Sequence, residues 1–163
     1  MIFVIEAFVL CLIFTIIVAS SVYRDPKEWI SDYPPAIQAR CRELGITTTE
    51  SGKMPPKVIA RKAIASVVCA IVLAQVLIYF NGAESFLEGA LLSYGLWLVA
   101  DWYDALVLDC LWFSHSRKVI IPGTEDMVDE YHNYGFHIKM SLIGMAIGLP
   151  VCVVCGILVQ LMH

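Results

Sequence analysis

The sequence predicts an all-α membrane protein, a four-transmembrane-helix bundle with both termini outside (N-out/C-out). Three observations predict it. Of the 163 residues, 59% are hydrophobic and 16% are charged, more apolar and less charged than an ordinary soluble domain. Four stretches, about 1–22, 63–80, 86–113 and 138–162, are apolar enough to cross a hydrocarbon core that needs on the order of 20 residues per helix. Finally, every Lys and Arg lies in or beside one of two loops, 23–62 and 114–137. Basic loops near helix ends stay in the cytoplasm, so the chain is expected to start and finish outside. The four helices leave no room for a soluble domain, and 1–163 reads as a single integral membrane domain.

The first stretch, Met1 to Val22, has no Lys or Arg before Arg24 and carries Glu6 near its start. A secretory signal needs a basic leading region and a small-residue cleavage site, so a retained helix is expected. The loop that follows reads as structured. Ser31-Asp32-Tyr33-Pro34-Pro35 suits a turn and a first helical position, Ala36 to Leu44 carries a short amphipathic pattern that stops at Gly45, and Pro55-Pro56 opens a second start. Trp29 and Tyr33, close to Lys27, have the character of interfacial anchors that would lay this segment on the membrane surface.

Helices two and three are separated by about five residues around Asn81-Gly82, which predicts an antiparallel hairpin. In the second loop Ile120-Ile121-Pro122-Gly123 is a stop. Thr124 is then expected to cap a fresh helix, with Glu125 and Asp126 in its first turn, running through Tyr131 into the fourth span.

Chemistry is concentrated on the third and fourth spans. Asp101, Asp104 and Asp109 fall within an otherwise apolar stretch, and an acid near the bilayer centre costs a few kcal/mol or more, so such residues face protein or internal water. At 100° per residue Asp101, Asp104 and His115 share a stripe with Trp97, Leu108 and Trp112, while Asp109 projects to the side. Three acids in nine positions must each be protonated or balanced by a cation. A purely structural alternative is a helix-to-helix clamp through Gln75, Tyr79 or Ser141.

A second constellation is Glu125, Asp126, Asp129, Glu130, His132, Asn133 and His137. Drawn as one helix, Asp126, Glu130, Asn133 and His137 form a polar stripe leading to the cytoplasmic mouth of the bundle. Carboxylates and imidazoles from neighbouring helices suit a divalent metal. Asp104, Asp109, His115 and His137 are the expected ligands and Glu130 the expected base, with Asp101, Asp126, Asp129 and His132 lining the rest of a polar cavity. The bland alternative is a solvated acidic face with histidines at headgroup level. No HExxH, His-box or P-loop is present, and a haem between His115 and His137 would be poorly covered.

The six cysteines fall in apolar stretches or in the first loop, and Cys152-x-x-Cys155 has no second, loop-borne pair to relay through, so packing is its expected role. The basic residues sit at membrane flanks among acids, which excludes nucleic acid as a partner and points to anionic lipid headgroups. Three functions stay open: a cation- or lipid-head-binding bundle with metal-assisted chemistry as an extension, a proton- or cation-coupled transport subunit using Glu6, Asp101 and Asp104, and an accessory membrane subunit. A divalent metal is the one cofactor the pattern suits. The partners expected are membrane lipids with either a second copy or another membrane subunit, in the plasma (inner) membrane of a prokaryote.

The charge asymmetry makes a direct prediction. With the native thiols removed, Ala83→Cys should react with an impermeant thiol reagent added from outside and Glu50→Cys should not. The reverse pattern would overturn the orientation.

Overall fold

The computed structural model describes residues 1–162, and among them there is no strand. Four helices are long and apolar enough to cross a membrane, within Ile2–Arg24, Pro56–Asn81, Phe86–His115 and Val128–Met162. The protein is an integral, multi-pass, all-α bundle. Lipid offers no partner for backbone N–H and C=O groups, so a spanning segment of this composition must satisfy them internally as a helix.

Helix α1, Ile2–Arg24, ends where Asp25 turns extended, and the Asp25 carboxylate accepts the Lys27 N–H at 3.0 Å. A 3-10 segment, Pro26–Asp32, then leads to α2, Pro35–Glu43, which begins at a proline whose missing N–H costs nothing in a first turn. The next span, α3, covers Pro56–Asn81 and so starts at the Pro55-Pro56 signal, a turn and more ahead of the apolar boundary at 63. It closes on Gly82, whose φ of 63° is the left-handed conformation that favours glycine.

Helix α4, Phe86–Tyr103, opens with a capping box between Ser85 and Glu88. From Asp104 to Trp112 the same rod continues as a π-helix, and a 3-10 turn, Phe113–His115, ends it. Beyond it lie α5, Val128–Tyr131, and α6, Tyr134–Met162. The expected continuous helix from Thr124 into the fourth span is interrupted. Asn133 accepts the Phe136 N–H at 3.1 Å through its side chain and so starts α6 afresh, which breaks the stripe drawn through Asp126, Glu130, Asn133 and His137. Thr124 is not a cap either: it is buried, donates to the Ile121 carbonyl at 2.8 Å and meets the Tyr131 hydroxyl at 2.7 Å.

The tightest pairing in the bundle is α4 with α6, with α1 flanking α4 and α3 flanking α6. The hairpin partners α3 and α4 touch less than α3 and α6 do. Small residues allow the central approach. Gly89 faces Val159 and Gly156, Gly148 lies under the Trp97 ring, and Gly144 lies under the Asp101 carboxylate, each without room for a Cβ. One apolar core, including Leu73, Leu77, Leu96, Cys155 and Val159, fills the end near the Asn81-Gly82 turn. The outward faces, such as Phe8, Ile16, Ile64, Leu91 and Ile147, are exposed and suit lipid.

A second core lies at the other end, where both long loops fold over the bundle: Val18 and Val22 of α1 meet Ile30, Ile37, Cys41, Val119, Ile121 and Tyr131. Tyr33 is part of this cap and not a headgroup anchor. Its hydroxyl donates to the Val119 carbonyl at 2.9 Å, and its ring packs edge-on against Tyr131 at 5.7 Å. Burial, with Tyr131 nearby as a second cause, pushes the Tyr33 phenol well up, so it remains a neutral donor at any physiological pH. Trp29 donates to the Ser21 hydroxyl at 3.1 Å and carries the Arg61 guanidinium 5.1 Å above its ring, which ties the end of α1 to the start of α3.

Ala83 is buried in the first core, so exposed Glu84 is the better outer position for the labelling test. The glycine seam supplies its own prediction. Gly148→Ala would place a Cβ against the Trp97 ring, and overpacking of this kind costs about 1–3 kcal/mol. The variant should melt at a clearly lower temperature in mild detergent, whereas Ala146→Gly, at an exposed position of the same helix, should cost about 1 kcal/mol or less.

Candidate functional site

The polar groups of the membrane interior lie along the seam between α4 and α6. Tyr94 donates to the Met145 carbonyl at 3.4 Å and Trp97 to the Gly144 carbonyl at 3.1 Å. One turn further, the Ser141 hydroxyl donates to Asp101 at 2.5 Å, and beyond that His137 Nδ1 lies 3.0 Å from the Asp109 carboxylate. Each step down α4 is matched by a step toward the start of α6, as antiparallel packing requires.

The π-helix explains how Asp109 joins this series. Counted at 100° per residue it projects sideways, but an i→i+5 ladder advances by less than 100° per residue and turns the later positions back toward the face of Asp101. The Ser114 hydroxyl supports the wide turn by donating to the Asp109 carbonyl at 2.6 Å. Asp109 therefore faces α6.

Asp104 lies between these two clamps and is partly buried. The charges that act on it most strongly are Asp109, Asp101, Asp32 and Lys62, and no hydrogen bond to its carboxylate exists among the described residues. Lys62, at the start of the second span, is joined to Asp32 of the first loop at 2.5 Å. That ion pair was hidden in the sequence, where Asp32 reads as a turn residue and Lys62 as a topology signal. The available hint was that an acid and a base both sit at the boundary where an apolar stretch meets its loop. On the α1 side, Thr15 donates to the Cys11 carbonyl at 2.7 Å, which leaves the Tyr103 hydroxyl to donate to Thr15 at 2.8 Å.

The other expected site residues separate from this centre. His115 stacks on His132, with centroids 4.8 Å apart, and not on His137. Asp126 and Asp129 are exposed on the cap and Glu130 is partly exposed. Among the described residues no group of three or more His, Cys, Asp and Glu side chains stands close enough to hold a metal ion. The proposed quartet Asp104, Asp109, His115 and His137 is thus divided, because the break at His132-Asn133 and the end of α4 in a 3-10 turn carry the two histidines to different neighbours. Glu6 is also apart. It accepts from Asn81 at 2.6 Å near the opposite end of the bundle, and at 1.5 Å per residue it lies about 14 Å along α1 from Thr15 and the level of Tyr103.

The chain matches no family model, no curated protein and no solved structure.

Two of the three acids thus have dedicated partners. Single changes Asp109→Asn and His137→Gln, together with the double variant, should reveal a coupling of about 1 kcal/mol in detergent stability, in the range of polar pairs inside membrane proteins. A coupling near zero would mean that the two side chains do not meet.

Proposed function

We propose that this is a small polytopic membrane protein that binds a cation, most directly a proton, at an acid-lined centre on the cytoplasmic side of its third and fourth spans, with Asp104 as the binding carboxylate. The supporting observation is the position of Asp104. It stands between Asp101, engaged by Ser141, and Asp109, engaged by His137, without a hydrogen-bonded partner of its own among the described residues. Three carboxylates within about two turns of one helix must each be protonated or balanced by a cation, and the nearby Lys62 is already joined to Asp32. A bound cation supplies that balance.

The centre lies where α4 meets the loop cap, so exchange from the cytoplasmic side, as the basic loops orient it, is the short route. This reading favours proton- or cation-coupled work over metal-assisted hydrolysis. The hydrolytic version needs His115 and Glu130 at the same ion, and those residues stand with His132 and on the cap. With a single bundle too narrow to enclose a path, coupled transport would also require a second copy or another membrane subunit against the exposed apolar faces.

Infrared difference spectroscopy of the reconstituted protein tests the proposal. Titration with Na⁺, K⁺, Mg²⁺ and Mn²⁺, or a change of pH, should alter a carboxyl stretching band in the wild type, and Asp104→Asn should abolish the change. Asp101→Asn, which keeps an acceptor for Ser141, should leave it in place. A band indifferent to every cation and to pH, with full stability of Asp104→Asn, would reduce the acids to packing and leave an accessory subunit as the better reading.

A further inference from the structure

A separate feature lies in the loop cap, where α1 leaves the bundle and α3 begins. A cavity of about 60 Å³ is lined by Lys27, Ser31, Gln38, Thr47, Thr49 and Lys53, and closed by Pro55 and Val58 at the start of α3. A single water needs roughly 10–15 Å³ on this measure, so the space holds a larger group. We infer that the cavity is a binding site for a phosphate group.

The lining suits that chemistry. Lys27 and Lys53 stand in the lining with exposed side chains long enough to turn their ammonium groups over its mouth, and Thr47 and Thr49 add hydroxyl-bearing side chains. The Ser31 hydroxyl is buried and has no partner within the protein. Gln38 serves as a fixed wall and not as a ligand: its amide nitrogen donates to the Tyr33 carbonyl at 2.7 Å and to the Ser31 carbonyl at 3.3 Å, while its oxygen accepts the Gly52 N–H at 2.8 Å. The first turn of α3, a helix of 26 residues, turns its positive end toward the same space.

Two carboxylates lie nearby and both are engaged. Glu28, in the lining, faces Arg61 at 3.5 Å, and Glu50 meets Lys53 at 2.5 Å on the exposed rim. A phosphate would draw Lys53 from Glu50, an exposed pair that costs little to break. Lys27 stands three residues beyond the end of α1, and Pro55 directly precedes α3. The cavity therefore sits in the loop cap beyond the ends of α1 and α3, and the phosphate it takes can be free or carried by a lipid.

Calorimetric titration of the full chain in mild detergent distinguishes these sources, using a short-chain phosphatidic acid, the matching diacylglycerol and inorganic phosphate. Phosphatidic acid should bind and diacylglycerol should not. The double variant Lys27→Gln/Lys53→Gln should weaken binding by about tenfold or more. Removing equal charge away from the cavity, with Arg42→Gln/Arg117→Gln, should change it by about twofold or less. Inorganic phosphate that binds and competes with the same dependence on Lys27 and Lys53 identifies a free-phosphate site; binding by the lipid alone identifies a headgroup site. If neither phosphate-bearing probe binds, or if the two double variants behave alike, there is no phosphate site. Because Asp104 takes no part, these results are independent of the cation centre.

Discussion

The close approach of α4 and α6 is the constraint on which the rest of the molecule depends. Lipid tails do not drive apolar helices together, so association rests on packing and on hydrogen bonds between helices. Here both are written into one seam. Gly144, Gly148 and Gly156 remove the side chains that would hold the axes apart, and Tyr94, Trp97, Asp101 and Asp109 then reach partners on the facing helix. The two effects require each other. Without the glycines the polar groups could not meet, and without their partners the acids would make α4 a poor span. The outer helices α1 and α3 add apolar cover and close the two ends.

The loop cap plays the complementary role at the end of the bundle opposite the Asn81-Gly82 turn. Tyr33 links the first loop to the second by donating to the Val119 carbonyl and packing edge-on against Tyr131, whose hydroxyl bonds with Thr124 and the Ile121 N–H, and Tyr23 adds edge contacts with Trp112 and Phe113. Asp32 is thereby held at Lys62, within electrostatic range of Asp104. The loops thus bring to the polar end of the third span a charge pair that no single helix could supply.

Much of this was legible in the sequence and some was not, for physical reasons. Hydropathy reports burial in lipid directly, so the four spans, the hairpin at Gly82 and the proline starts of α2 and α3 could be read from composition and turn chemistry. Ser141 could be named as a partner for an acid on α4 because small polar residues are rare in such a helix. The facing of Asp109 could not be read, since a helical wheel assumes a constant 100° and nothing local announces nine residues of π-helix. Thr124 and Asn133 show the same difficulty at short range. Both residue types cap helices, and tertiary contact with Tyr131 decides that one becomes a buried node while the other starts α6. Asp32 and Lys62 lie thirty residues apart, a separation at which pairing depends on the fold of the intervening loop.

The seam also bears on how the chain is made. The third span, Phe86–His115, carries Asp101, Asp104 and Asp109 in its second half and is the least apolar of the four, whereas the other three are strongly apolar. The groups that satisfy Asp101 and Asp109 stand on α6, which leaves the ribosome after α4 does. During synthesis, therefore, α4 reaches the insertion machinery before its partners exist. Until Ser141 and His137 arrive, its acids are without those partners and must be protonated or hydrated. Premature release into lipid at that stage would leave exposed acids in hydrocarbon, and the arrival of the fourth span becomes the step that commits the third to the bilayer.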